Sequence, residues 1–498
     1  MNDNLFAHIQ AAMPGPTSPL LDTAAQRYSY GDLDCLSAAL GHRLRALGVG
    51  KGDRVAVQVE KSPQAVFLYL ACLRIGAVYL PLNTGYTLRE LDYFFGGAEP
   101  RVIVCDPAKE SDVGGIAGAR AVVTLDAEGT GSLMADATDS TDLAPVPCDA
   151  DDLAALLYTS GITGRSKGAM LTHRNLASNA LALRETWGFT GADVLLHVLP
   201  IYHTHGLFVA INTVLLAGAR MLFLPRFDPD AVIPALAQST VMMGVPTYYT
   251  RLLARDDFTA EAARRIRVFI SGSAPLLEET FTAFEARTGQ RILERYGMTE
   301  TGMNTSNPLH GERRPGTVGL PLPGVEVRVA DDDGRPLAPG EVGILEVRGP
   351  NVFKGYWRMP EKTAEEFRDD RFFITGDVGV IGEDGYVSIV GRAKDLVISG
   401  GLNIYPKEVE SLIDSLPGVV ESAVVGLPHS DFGEAVAAVV VLERGVTVTE
   451  IDIVTAARTE LAGFKVPKTV FFVEALPRNS MGKVQKNVLR ADYGDTFR

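Results

Sequence analysis

The residues best placed to do chemistry lie in YTSGITGRSKG at 158–168, a run of glycines and hydroxyl side chains that reaches Lys167. A loop of this composition can turn backbone N–H groups and hydroxyls onto phosphate oxygens, with Lys167 neutralising their charge. Composition alone equally allows an ordinary Gly/Ser surface turn. The lysine precedes its neighbouring glycine and GxxxxGK[ST] is absent, which disfavours a Walker loop and with it a P-loop kinase or ATPase. Carboxylates in ERYGMTE at 294–300 and TGD at 375–377, and a lysine in PRNSMGK at 477–483, are further candidates. Each has a plainer reading when taken alone. Thr299 and Glu300 suit a helix cap, TGD a turn, Tyr296 a core aromatic and Lys483 a solvated surface position.

Stepping outward, short β-branched runs alternate with segments of helical period from residue 55 to about 294, as in VAVQV then QAVFLYLACLRIG, and RVFISG then LEETFTAFEART. That texture predicts largely parallel sheets covered by helices. LAALL before the glycine-rich loop reads as a strand, and a helix is expected to start near His173. After Pro315, strands separated by Gly, Pro and Asp turns predict a smaller β-rich lobe. From about Gly391, KEVESLIDSL, VVESAVVGL, EAVAAVVVLE and KTVFFVEAL predict a compact α+β unit. The expected class is α/β: a large N-terminal domain of layered α/β subdomains plus a β-rich lobe, followed by a small α+β C-terminal domain.

The chain has 498 residues, 46% hydrophobic and 22% charged, which is enough to bury more than one core. A formal charge of -14 gives no general attraction for nucleic acid or anionic membrane, so an anionic substrate needs a local cluster of cations or a bound metal ion. Cys35, Cys72, Cys105 and Cys148 are widely spaced, which argues against zinc and against a disulfide scaffold. The N-terminus lacks a signal-peptide pattern. The most apolar stretch, 206–219, is interrupted by Asn212 and falls short of the ~20 residues that span a bilayer. A cytoplasmic location is expected.

The glycine-rich loop resembles YTSGTTGxxKG, the phosphate-binding signature of the adenylate-forming superfamily of acyl-CoA synthetases, luciferases and peptide-synthetase adenylation domains. ERYGMTE, TGD, GRAKD at 391–395 running into SGGLNIYPKEVE, and PRNSMGK follow in that family's order. The resemblance implies ATP, Mg²⁺ and coenzyme A as reactants, and two domains, 1–391 and a mobile 392–498. On it, Thr159, Ser160, Gly161, Thr163, Gly164 and Lys167 serve the phosphates. Ser273, Ala274, Pro275, Glu294, Arg295, Tyr296, Gly297 and Met298 line the nucleotide site. Asp377 with Arg392 meets the ribose, Thr299 the α-phosphate and Glu300 the Mg²⁺. Lys483 bridges the attacking carboxylate and the α-phosphate. Lys394 is the implied pivot that exchanges the Lys483 loop for Ser399, Gly400 and Gly401 when the thioester forms. Ile162 departs from the signature, which has threonine there. The change either removes a hydrogen bond to phosphate worth ~1.5–3 kcal/mol or is tolerated through the backbone and Thr163.

PLNTGYTLRELDYFF, LPIYHTHGLFVA, MMGVPTYYTRLL, NVFKGYWRMPEKT and PRNSMGKVQKNVLR are most similar to malonyl-CoA synthetases, some of which also take methylmalonate. The implied partners are therefore a small dicarboxylate, ATP and CoA, with neither nucleic acid nor membrane. Loading of a carrier protein is the alternative acceptor chemistry. Burying a spectator carboxylate without a partner would cost several kcal/mol, so an arginine should face it. Arg251 resembles the arginine that those synthetases use. Thr204, His205, Ser271, Gly272 and Met298 are expected to shape the pocket, with His205 also a catalytic candidate.

Overall fold

The computed structural model describes residues 2–135, 142–159, 166–399, 402–429, 432–479 and 482–497. Among the expected site residues, Ser160, Gly161, Ile162, Thr163, Gly164, Gly400 and Gly401 lie outside the described residues.

The β-branched runs of the first 300 residues pair into two large sheets. One runs in the order Ala121–Thr124, Val102–Cys105, Arg54–Gln58, Val78–Pro81, Leu153–Thr159 and Lys167–Thr172, parallel except for the last strand. The other places Leu293–Met298, Val268–Ser271, Val241–Gly244, Val194–His197, Arg220–Phe223 and Pro19–Asp22 side by side in parallel, with antiparallel strands at each margin. The helix Pro63–Ile75 is apolar all round, and every residue from Ala65 to Ile75 is buried, as expected of a helix enclosed by other elements. It starts with Ser62 as cap and Pro63 in the first turn, and ends at Gly76 in the left-handed region. Its Tyr69 packs on Tyr79 of the first sheet and Phe208 beside the second, so the two layers share one core.

The strand expected before the glycine-rich loop and the helix expected near His173 are both present. Between them Lys167–Thr172 runs antiparallel to the preceding strand, with Thr159 opposite Lys167. The helix His173–Thr186 begins only afterwards, capped by Thr172 and Asn175. Leu153–Thr159 and Lys167–Thr172 are therefore the two arms of a hairpin.

The β-rich lobe is an antiparallel sheet of Glu326–Ala330, Gly343–Arg348, Phe373–Ile381 and Val387–Arg392, as the turn spacing predicted. Beyond it, Val397–Ser399, Leu402–Ile404, Val419–His429, Gly433–Leu442 and Thr469–Val473 form a further sheet. The two apolar clusters of this last sheet draw every buried member from residue 397 onward, so this unit carries its own core. Among the described residues no helix is long and apolar enough to cross a membrane.

Candidate active site

The strands Leu293–Met298 and Gly302–Ser306 form a tight antiparallel pair whose turn carries Thr299 and Glu300. The turn is possible because Gly302 takes a φ of 60° and because a Cβ on Gly297 would collide with the Gly302 carbonyl oxygen. Thr299 and Glu300 thus sit in a turn between strands, not at a helix cap. The Glu300 carboxylate is 6% exposed and accepts two long hydrogen bonds, both on Oε1, from Tyr356 Oη at 3.2 Å and Thr159 Oγ1 at 3.4 Å. Burial pushes its pKa above the ordinary glutamate value, the mark of a carboxylate that lacks a countercharge. No group of three His, Cys, Asp or Glu among the described residues could cage a metal ion. A single buried, under-compensated carboxylate fits Mg²⁺, which completes its shell from phosphate and water oxygens.

Asp377 and Arg392 are opposite each other on adjacent strands, and Arg392 Nε lies 2.6 Å from Asp377 Oδ1. Tyr296 Oη donates to the other carboxylate oxygen at 2.5 Å, and Thr375 Oγ1 accepts the Asp377 N–H. Each carboxylate oxygen keeps a free lone pair, so a diol could still be received. The Lys483 loop reaches this cluster from the C-terminal unit. The Lys483 pKa is pushed down to about 8, chiefly by burial of its ammonium, then by the positive charges of Arg392 and Lys394, with Asp377 and Asp395 opposing. Lys483 as a whole is exposed. Its neighbour Gly482 approaches Thr247 on the helix Pro246–Leu253, so the loop is seated on the large domain.

A second group of side chains lies at the C-terminal ends of the parallel strands. Arg295 is 3% exposed, and its Nε and Nη2 have no hydrogen-bond partner. Burial pushes its pKa down to about 10. The guanidinium lies against Gly272, where a Cβ would come within 2.5 Å of its Cζ. Ser271 Oγ, Thr204 Oγ1 and His205 Nε2 are likewise buried without partners. His205 opens a π-helical turn, His205–Ile211, and its Nδ1 is 3.2 Å from Ser273 Oγ. Burial, then the positive charge of Arg295, keeps the imidazole neutral. Ser273 has a φ of 73°, unusual for a residue with a side chain, which marks a turn held in place by its surroundings. Thr204 and Thr299 line one cavity of about 10 Å³, room for a single water. Unpaired polar atoms crowded in an apolar shell are costly unless a ligand or water completes them.

The remaining expected residues are placed as follows. Arg251 is exposed in the last turn of Pro246–Leu253, on the same face as Thr247 and hence toward the Lys483 loop. Arg295, expected in the nucleotide site, is the buried guanidinium beside Gly272. Lys167 is 8% exposed, but its ammonium is 2.8 Å from Glu366 Oε1 and 4.2 Å from the Tyr356 ring centre, so a protein carboxylate already takes its charge. Glu294 is buried, accepts the Leu276 N–H at 3.1 Å and has its pKa pushed up to about 8 by burial. It braces the Ser273, Ala274 and Pro275 turn from behind. Met298, half-buried, packs at the edge of the main core. Lys394 lies in the 3₁₀ turn Ala393–Asp395, whose Asp395 is held by Arg490. Ser399 pairs with Leu402 and Gly433 inside the C-terminal sheet. Tyr356 and Glu366 were not anticipated, and no spacing signal links Tyr356 to Glu300, 56 positions away, or Glu366 to Lys167, 199 positions away.

Comparison with known proteins gives a consistent answer. A family model described as AMP-binding enzyme matches residues 9–357, and one described as AMP-binding enzyme C-terminal domain matches 408–483. The chain is 36% identical to a feruloyl-CoA synthase of Amycolatopsis sp over 490 residues, covering 98% of each. It is 36% identical to the mitochondrial malonate–CoA ligase ACSF3 of Mus musculus over 487 residues, covering 90% of this chain and 83% of the relative. The crystal structure of ATP-bound MatB from Rhodopseudomonas palustris is 57% identical and superposes over 100% of both chains with a TM-score of 0.99, against 0.87 for the apo form of the same protein.

Proposed function

The chain belongs to the AMP-binding enzyme family, and on that premise we propose that it is an AMP-forming ligase joining malonate to coenzyme A. The observation that carries the choice of acid is the buried Arg295 guanidinium with two unpartnered nitrogens, lying against Gly272 and near enough to His205 for its charge to help keep that imidazole neutral. A dicarboxylate brings a spectator charge that satisfies it. Acetate or a long acyl chain would leave it desolvated and unpaired, a penalty larger than the ~1–3 kcal/mol gained by burying one methylene. An aromatic acid such as ferulate calls for an apolar slot, and four unpaired polar groups do not supply one. Malonate–CoA ligase activity in a relative supports the same reading. Arg251, on the helix face toward the Lys483 loop, is the second cation of the pocket mouth.

In the first half-reaction a carboxylate oxygen of malonate attacks the α-phosphorus of ATP, the bond to the β-phosphate oxygen breaks and pyrophosphate leaves. Lys483 meets the crowding negative charge at this centre, and Asp377 with Arg392 receives the ribose. Mg²⁺ at Glu300 supplies charge neutralisation for the phosphates. In the second half-reaction the CoA sulfur attacks the acyl carbon, the thiol proton goes to solvent and AMP departs. The domain division at 391/392, with the pivot at Lys394, belongs to this proposal and is supported by the self-contained core beyond residue 397. So does a cytoplasmic setting, supported by four free cysteines.

The test is pyrophosphate release with CoA across acetate, propionate, malonate, methylmalonate, succinate and ferulate. Malonate is expected to give the highest kcat/KM. Equal or better use of acetate or ferulate refutes the assignment of the acid. Product formed with a carrier protein, but not with CoA, would refute the acceptor.

A further inference from the structure

Lys167 closes the phosphate hairpin opposite Thr159, yet its ammonium is turned away to Glu366 Oε1 at 2.8 Å. Glu366 caps the C-terminal end of the helix Pro360–Glu365 and also pairs with Lys362 at 3.3 Å. The single Tyr356 hydroxyl proton is shared between the second Glu366 oxygen at 2.8 Å and Glu300 Oε1 at 3.2 Å. The Tyr356 backbone is bridged to Ala169 in the hairpin's second strand, and the Phe353 N–H donates to the Glu300 carbonyl at 2.7 Å. Thr159 Oγ1 completes the ring on Glu300. Three segments far apart in sequence are thus tied together around the carboxylate that suits the cation.

We propose that Tyr356 and Glu366 are positioning residues for adenylate formation: Glu366 takes the Lys167 ammonium and fixes the Tyr356 hydroxyl, which orients the Glu300 carboxylate toward the divalent cation that accompanies ATP. Neither residue touches the reacting atoms. The brace also ties the two arms of the hairpin to the turn that carries Glu300. Lys167 contributes through Glu366 and not as a free cation for phosphate. Because a carboxylate with one remote hydrogen bond can rotate about its terminal torsion, losing the hydroxyl leaves Glu300 present but no longer aimed.

This inference rests on the reading of Glu300 as the cation ligand and is independent of which acid is activated. The probe is Mn²⁺, titrated into the full-length enzyme saturated with α,β-methylene ATP and followed by the electron paramagnetic resonance of the free ion. Tyr356→Phe, which keeps the ring, is expected to weaken Mn²⁺ binding about tenfold, with the KM for malonate within about twofold of wild type and kcat restored by excess Mn²⁺. Lys167→Met and Glu366→Gln should each weaken Mn²⁺ binding, and the double variant should lose no more than the larger single effect, because both act through one path. Tyr356→Phe binding Mn²⁺ within twofold of wild type would overturn the proposal even if activity or Tm fell. Full additivity of Lys167→Met and Glu366→Gln would overturn it too, showing Lys167 to act directly on the nucleotide. Undiminished Mn²⁺ binding by Glu300→Gln would overturn the cation-ligand reading together with this inference, an outcome distinct from failure of Tyr356→Phe alone.

Discussion

Replacing Arg295 by methionine should make the protein more stable and much less able to use malonate. The side chain is 3% exposed with Nε and Nη2 unpartnered, and its pKa is pushed down to about 10, with burial the leading cause. At about 1.4 kcal/mol for each tenfold change, burial places a penalty of about 3 kcal/mol on the charged form in the free protein. Methionine keeps the stem's packing and removes the charge, so Tm should rise by a few degrees. In catalysis the same change removes two charge-assisted hydrogen bonds to a carboxylate, about 1.5–3 kcal/mol each, of which water recovers part. A loss of about 10²–10³ in kcat/KM for malonate follows.

The assay pairs thermal unfolding with pyrophosphate release, and adds calorimetric binding of α,β-methylene ATP, which should change little. Gly272→Ala is the companion variant: the guanidinium is retained, but a Cβ at 2.5 Å from Cζ must displace it, so malonate use should fall while the charge remains. A lower Tm in Arg295→Met, with nucleotide and malonate binding weakened in equal measure, would show that Arg295 holds the fold or the nucleotide. The acid-pocket assignment would then be wrong.

Three further outcomes are expected. Because Lys483 must be an ammonium to meet the developing charge and its pKa is about 8 in the free enzyme, kcat/KM for pyrophosphate release should decline as pH rises through about 8; a flat profile to pH ~10 would remove Lys483 from that role. The Glu294 carboxyl has a folded pKa of about 8 against an ordinary 4.5, so its stabilising protonated form is complete below about pH 4.5 and lost as pH rises through about 8. Glu294→Gln, neutral throughout, should gain Tm relative to wild type across that window, and a constant offset would contradict it. Lys394→Pro, in the turn Ala393–Asp395, should leave adenylate formation measurable and stop thioester formation, whereas equal loss of both half-reactions counts against a pivot there.

What the sequence could and could not disclose follows from the range of each signal. Alternation of β-branched runs with helical periods is local, so the layered sheets, the β-rich lobe and the C-terminal unit are legible in the sequence. The return strand Lys167–Thr172 is not, because six residues of mixed type running straight into a helix cap look like the approach to that helix. The motif strings located Glu300, Asp377, Arg392 and Lys483, and the structure brings the last three into one electrostatic cluster. Arg295 shows the limit more sharply. In a strand buried on both faces, adjacent Glu294 and Arg295 read as a charged pair, yet consecutive side chains point to opposite sides. Glu294 braces the Ser273 turn through Leu276, while Arg295 lies against Gly272. Room for the guanidinium comes from the glycine just after the neighbouring strand Val268–Ser271. That is a tertiary fact, invisible in the residue's own segment. Lys167 is the same case at longer range: its family position suggests a phosphate contact, and its pairing with a carboxylate 199 residues away could not be read from its own segment.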